Sequence, residues 1–327
     1  MANLGTTYLG LELDNPFIVG SSSLTRTPEG VVKCAEAGAG AVVLKSLFEE
    51  QIRFEYAATT EALADSVHPE ALDYLEADIA RRYGPRNYLE VVREASKAVS
   101  IPVIASVNCT STHSWIEFAK QLEAAGAAAL ELNIYVLPTD PDQKSGQVDQ
   151  IYLDIVSTVT ERVSMPVAVK LAPYITNLTR LATKLVASGA KGLVLFNRLF
   201  SPDIDVEKET VSGGISLSHP DEHRTALRWV ALLSETLGVD ICGSRGIHDA
   251  EAAVKMLLAG ASAVQVTSVL YKSRRSHLGT LVADLTTWMD EHGYEDLETF
   301  RGNLTEDPRS AELFQRAQYI KAFVGVE

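Results

Sequence analysis

The chain has 327 residues, 46% hydrophobic and 22% charged, enough apolar material for a sizeable core and far from the composition of a disordered chain. Its net charge of −14 disfavours non-specific binding to nucleic acid or an anionic membrane surface, since both reward clustered Lys and Arg. Three scattered cysteines, Cys34, Cys109 and Cys242, form no C-x-x-C pair, which argues against a zinc site, an iron–sulfur cluster or a disulfide framework and fits a reducing cytoplasm.

The N-terminus lacks a basic segment followed by an apolar one, and no apolar run approaches the roughly 20 residues that span a bilayer, so neither export nor insertion is expected. Asn15 and Pro16 precede F-I-V-G, which reads as strand one, followed by the small residues Gly20, Ser21, Ser22 and Ser23. Thr27 and Pro28 open a helix through Glu36, and Gly38 and Gly40 punctuate its end before strand two, Ala41 to Leu44. Residues 46 to 84 are too long for a plain βα connection and read as a lid or interface element over the strand ends, or as a surface insertion.

A helix from about Asn87 to Val99 leads to I-P-V-I-A-S-V-N, strand three. Helices near 114 to 125, 148 to 163 and 178 to 187 alternate with strand four (128 to 132), strand five (M-P-V-A-V-K-L) and strand six (192 to 196). The loop from Arg198 to Ile215 ends in S-G-G-I. A helix near 221 to 236, strand seven (V-D-I-C-G-S-R-G), a helix from His248 to Leu258 and strand eight (S-A-V-Q-V-T-S) complete eight βα units. A helix-ending A-G-A or S-G-A recurs before strands two, four, six and eight. A β-α-β-α module repeated in this way closes into a (β/α)8 TIM barrel, here as one domain over 1 to 327 with an insertion after strand two; a doubly wound open sheet is the competing architecture.

Four strands deliver a polar side chain at the carboxyl end: Lys45, Asn133, Lys170 and Asn197. Polar groups collected at that end of parallel strands are how such a barrel builds a site. Lysine there can stabilise negative charge or form a Schiff base, and the two amides suit a heterocycle edge or a carboxylate. Both lysines are expected just outside their strands. The loops G-S-R-G (243 to 246) and Q-V-T-S (265 to 268), with Gly213 and Gly214, offer backbone N–H groups to a phosphate. The basic run Lys272, Arg274 and Arg275 reads either as a solvated helix face or as phosphate-proximal.

In order along the chain, L-G-L-E-L-D-N-P-F-I-V-G, V-V-L-K-S, L-E-L-N, V-K-L-A-P-Y, L-F-N, S-G-G-I, G-S-R-G-I and V-Q-V-T-S-V-L resemble the dihydroorotate dehydrogenase family, class 1, from about Leu9 to Leu304. The resemblance implies FMN at the strands' C-terminal ends, a homodimer, and a role in pyrimidine biosynthesis. It also implies that Lys45, Asn133 and Lys170 face flavin and substrate, and that Asn197 faces the substrate. Gly20 and Ser21 would lie on the isoalloxazine side, Ser46 would also bind the cofactor, and Gly214, Gly243, Gly246, Thr267 and Ser268 would lie at the phosphate end.

The chain departs from that pattern at the base. Class 1 members carry N-x-S-C-P-N, whose Cys takes a proton from dihydroorotate; here the text is N-I-Y-V-L-P-T, with Val136 or Leu137 in its place. Tyr135, Thr139 and Asp140 are the nearby groups that could substitute. The N-x-M-G-x-x-N loop is absent too, and Arg198 stands where a small hydroxyl residue is usual, which suits an anionic substrate. Three functions follow: an FMN oxidoreductase of dihydroorotate-dehydrogenase type; an FMN-binding homologue with another small-molecule substrate or a non-catalytic electron-transfer role; and a non-redox barrel enzyme for a phosphorylated metabolite. Relatives pass electrons to fumarate, or to NAD through an iron–sulfur partner. No metal is expected.

Overall fold

The computed structural model describes residues 2–48, 85–108, 119–198, 202–213, 216–306 and 314. Most of the 46–84 insertion therefore lies outside the described residues, as do Cys109 and Gly214. Eight parallel strands form the centre: β1 (Phe17–Val19), β2 (Ala41–Val43), β3 (Val103–Asn108), β4 (Ala129–Asn133), β5 (Val167–Leu171), β6 (Gly192–Leu195), β7 (Asp240–Ser244) and β8 (Ala263–Val266). Each pairs with the next, and β8 returns to β1 with Val264 opposite Phe17, so the sheet closes into a barrel. That closure rules out the open doubly wound sheet.

The strands are buried on both faces, which is why they read as continuous apolar runs. On the inner face every strand contributes to an apolar cluster, Ile18, Ala41 with Val43, Ile104, Ala129, Ala168, Val194, Cys242 and Ala263. Tyr8, Leu9 and Leu13 complete it from an antiparallel hairpin, Thr6–Tyr8 with Leu11–Leu13. The hairpin turns through Leu9 and Gly10 at φ 56 and 73, the two positive values a type I′ turn requires. The Leu9 N–H donates to Asp240 Oδ2 at 2.7 Å, at the start of β7, so the hairpin stoppers the amino-terminal end of the bore. The sequence reading does not foresee it, because Leu-Gly is a weaker turn signal than Asn-Gly.

Outside the sheet lie α1 (Pro28–Glu36), α2 (Pro85–Ala98), α3 (Ser145–Thr160), α4 (Leu178–Ala187), α5 (His223–Leu237) and α6 (Ala250–Leu258); α7 (Ser268–Ser273) and α8 (His277–His292) follow β8. Thr27 caps α1 with Pro28 in the first turn, as expected. The recurrent A-G-A echo proves to be one physical device used four times. Gly38, Gly126, Gly189 and Gly260 all sit near φ +100 (99, 97, 101 and 96). In each, the glycine N–H and the next N–H bond back to the two carbonyls of a Schellman cap, as in Gly38 to Ala35 and Ala39 to Cys34.

Several helix starts shift by two or three residues from those expected, and two of the shifts have a visible cause. Gln147 Oε1 takes the Lys144 N–H at 2.8 Å and opens α3 at Ser145, not near 148. Asp249 caps the Ala252 N–H and moves the start of α6 from His248 to Ala250. The loop after β6 is also more regular than expected, holding a hairpin of Pro202–Asp205 with Thr210–Gly213. No described helix is long and apolar enough to cross a membrane.

Candidate active site at the barrel mouth

Side chains alternate along a strand, so the residue two places beyond each member of the apolar cluster also faces the bore. From Ile104, Ala129, Ala168, Cys242 and Ala263 this leads to Ser106, Glu131, Lys170, Ser244 and Gln265, a polar layer above an apolar one. Glu131, Lys170 and Gln265 are buried, at 1, 7 and 3% exposure. Lys170 Nζ donates to Gln265 Oε1 at 2.6 Å, Gln265 Nε2 donates to Glu131 Oε2 at 2.5 Å, and Glu131 Oε1 lies 3.3 Å from Lys170 Nζ. Because β8 lies opposite β4 in the ring, the Gln265 amide spans the lumen.

Lys170 is therefore not a rim lysine outside β5. It lies within that strand, held by partners inside the bore, because its strand neighbour Glu131 supplies the countercharge that makes burial tolerable. Glu131 and Gln265 are the residues the sequence reading missed. The available signal was a single charge in L-E-L-N and a single amide in V-Q-V, polar side chains within otherwise apolar strands.

Closer to the mouth, Asn133 is the last residue of β4 and is 6% exposed. Asn197 Nδ2 donates to its Oδ1 at 2.8 Å, so two predicted site residues meet. On the opposite side, Ser21 and Ser46 share a hydrogen bond of 3.0 Å, and Ser46 continues to Ser106 at 2.8 Å. Tyr88 from α2 closes that chain, taking the Ser106 N–H and donating to the Ser106 carbonyl. Gly20 faces Thr267 and Gln265: a Cβ there would sit 2.7 Å from Thr267 Oγ1, so this position requires bare backbone. Lys45 follows β2, with its Nζ 5.7 Å from the centre of the Phe48 ring.

The loops after β6, β7 and β8 are tied together. Ser218 N–H donates to Ser268 Oγ at 3.0 Å, Ser218 Oγ meets His248 Nε2 at 2.8 Å, and Lys272 Nζ donates to the Ser218 carbonyl at 2.8 Å. Arg275 Nη2 reaches the Leu24 carbonyl, so two members of the basic run fasten loops to one another. Gly243 answers to a different need: a Cβ there would meet Met256 of α6 at 3.0 Å. At Gly246 (φ 67) a Cβ would lie 2.3 Å from the His223 nitrogen, so this glycine lets the loop pack on the start of α5.

Glu222, just before α5, takes Arg245 Nη2 at 2.6 Å and Arg198 Nη1 at 3.2 Å. Burial pushes its carboxyl up, but the His219 N–H and the guanidiniums of Arg245 and Arg198 outweigh that and hold it below the usual range. A carboxylate with a lowered folded pKa contributes stability that is fully present above its unfolded value of about 4.3 and disappears as pH falls through the folded value. Thermal midpoints of the native protein and Glu222→Gln should therefore differ at neutral pH and converge in acid. A constant difference down to pH 3 would contradict this latch.

The position of the family base holds no ionisable side chain. Val136 is half-buried, with its N–H bound to Tyr152 OH at 3.2 Å, and Leu137 is 64% exposed. Among the substitutes, Tyr135 and Thr139 are exposed, and Asp140 is an exposed turn residue whose Oδ1 takes the Asp142 N–H. A cleft of about 740 Å³, lined by Leu9, Lys191, Asp240 and Arg301 among others, opens at the opposite, stoppered end.

A family model described as dihydroorotate dehydrogenase matches residues 3–289. The chain is 28% identical over 312 residues to the dihydroorotate dehydrogenase B (NAD(+)) catalytic subunit of Thermoplasma acidophilum, covering 92% of this chain and 99% of that one. It is 29% identical over 300 residues to the protein of the same name from Methanosarcina acetivorans, covering 90 and 93%. With a match over nearly its whole length, on a closed eight-stranded barrel, the chain belongs to the dihydroorotate dehydrogenase family.

Proposed function

We infer that the protein is an FMN-dependent oxidoreductase of the dihydroorotate-dehydrogenase type, acting at the carboxyl-end mouth of the barrel as a single domain. The observation that carries this reading is the buried Lys170 ammonium, fixed by Glu131 and Gln265 beneath a mouth lined with amides and hydroxyls. The residues present fit a flavin nucleotide. Gly20 offers bare backbone beside Thr267 where a flat ring could approach, and Ser21, Ser46, Asn133 and Lys45 surround the same opening. Gly214, Gly243, Gly246, Thr267 and Ser268 belong to the phosphate end of this reading.

When bound, FMN would supply a hydride acceptor. Lys170 supplies a positive charge that cannot swing away, so stabilising negative charge at the mouth requires little reorganisation. With Asn197 Nδ2 given to Asn133 Oδ1, Asn133 Nδ2 and Asn197 Oδ1 remain to grip a substrate that has both donors and acceptors. Lys45 adds positive charge and favours an anionic one.

A second reading rests on Val136 and Leu137. Without a base at either position, the substrate could be a small molecule other than dihydroorotate, or the barrel could serve only as an electron-transfer partner. An absorption spectrum of the purified protein, then anaerobic titration with dihydroorotate, separates these readings. Flavin absorbance that bleaches supports dihydroorotate oxidation, and flavin absorbance that persists supports the second reading. A protein that neither carries nor takes up FMN would sink both and leave the non-redox barrel.

Leu137, Tyr174, Ile204, Val206 and Val211, exposed on the loops after β4, β5 and β6, support self-association into a homodimer. The relatives from Thermoplasma acidophilum and Methanosarcina acetivorans are catalytic subunits of NAD(+)-linked enzymes, which supports a partner subunit here, read as an iron–sulfur electron-transfer protein. A cytoplasmic location completes the reading.

A further inference from the structure

Arg245 occupies a backbone conformation, φ +78, that only glycine adopts without strain. Its neighbour Gly246 is pressed against the start of α5, so the loop path is fixed by packing and the arginine must be accounted for by its side chain. That side chain gives Nε and Nη2 to Glu222 Oε2 at 3.2 and 2.6 Å. Arg198, from the loop after β6, gives Nη1 to Glu222 Oε1 at 3.2 Å and Nη2 to Ser216 Oγ at 2.8 Å.

Two guanidiniums on one carboxylate leave the cluster with a net positive charge. The Arg198, Arg245 and Glu222 side chains remain 31, 21 and 24% exposed, so a solute can reach them. Each arginine carries five N–H groups, and among the described residues two on each are engaged. Planar donors arrayed in excess over their acceptor suit a tetrahedral oxyanion, which accepts several charge-assisted hydrogen bonds at once.

We propose that Arg245 and Arg198 form a phosphoryl-anion clamp, with Glu222 as an internal counter-ion that holds the two forks in place until the anion arrives. Resting on the flavoprotein reading above, the anion is assigned as the terminal phosphate of the flavin nucleotide. Glu222 competes with that phosphate for the same donors, so neutralising it strengthens the clamp.

The test compares FMN with riboflavin, which lacks the phosphate, by flavin fluorescence quenching on the native protein, Arg245→Gly and Glu222→Gln. Glycine is at ease at φ +78, so Arg245→Gly keeps the loop path. Native protein should prefer FMN; Arg245→Gly should bind riboflavin unchanged but FMN at least tenfold more weakly, with a flatter salt dependence. Glu222→Gln should bind FMN more tightly. An FMN preference that survives Arg245→Gly intact overturns the clamp while leaving the flavoprotein reading standing. If neither flavin binds but inorganic phosphate does, and Arg245→Gly abolishes it, the clamp stands for another phosphorylated ligand and the flavoprotein reading falls. Binding of none of the three overturns both.

Discussion

Lys170→Ala should destabilise the fold by about 3–5 kcal/mol, the usual result of breaking a buried ion pair by removing one partner. Glu131 is 1% exposed and its Oε1 has no hydrogen-bond partner, so the lysine is its available countercharge in the bore. The substitution would also leave Gln265 Oε1 without the donor it has at 2.6 Å. Chemical denaturation measures the loss. Lys170→Met combined with Glu131→Gln removes both charges and should recover most of it, because a neutral, well-filled replacement of a buried pair is often tolerated. If the single and double variants were equally unstable, the ion pair would not be the cause. Because the buried carboxylate beside Lys170 makes the single variant report mainly on stability, the double variant is the fair test of chemistry.

Val136→Cys should raise the rate of flavin reduction by dihydroorotate by about 10²-fold or more, the range a positioned general base contributes. The two side chains are of similar size, so the half-buried site and the Val136 N–H bond to Tyr152 should survive. A thiol acts as base only when ionised, so the gained rate should climb as pH rises towards about 8.5, the ordinary cysteine value. Anaerobic stopped-flow reduction measures both effects. A rate indifferent to the new thiol would mean that dihydroorotate is not the substrate this mouth is shaped for.

The fold was legible because its punctuation is local. A Schellman glycine must be a glycine or nearly so, and four of them before four strands mark the repeat regardless of what packs where. The candidate site was only half legible. Lys45, Asn133, Lys170 and Asn197 could be read as strand-end polar groups, and Asn133 does meet Asn197. Which way each side chain points could not be read, because strands apolar on both faces carry no alternation to follow. Hence Lys170 looked like a rim residue, and Glu131 and Gln265, each from a different strand, could not be joined to it without the closed ring. The Arg245, Arg198 and Glu222 cluster was hidden for a similar reason, since Arg245 follows β7 while Arg198 and Glu222 stand 24 residues apart in the connection after β6.

The amino-terminal hairpin has a consequence for turnover. Among the described residues Tyr8, Leu9 and Leu13 cork one end of the cylinder, which leaves the opposite mouth as the doorway to the polar layer. A reductant and a small soluble oxidant would then have to take turns, the first product leaving before the second reactant enters. Only an oxidant that draws electrons from outside the doorway could escape that queue.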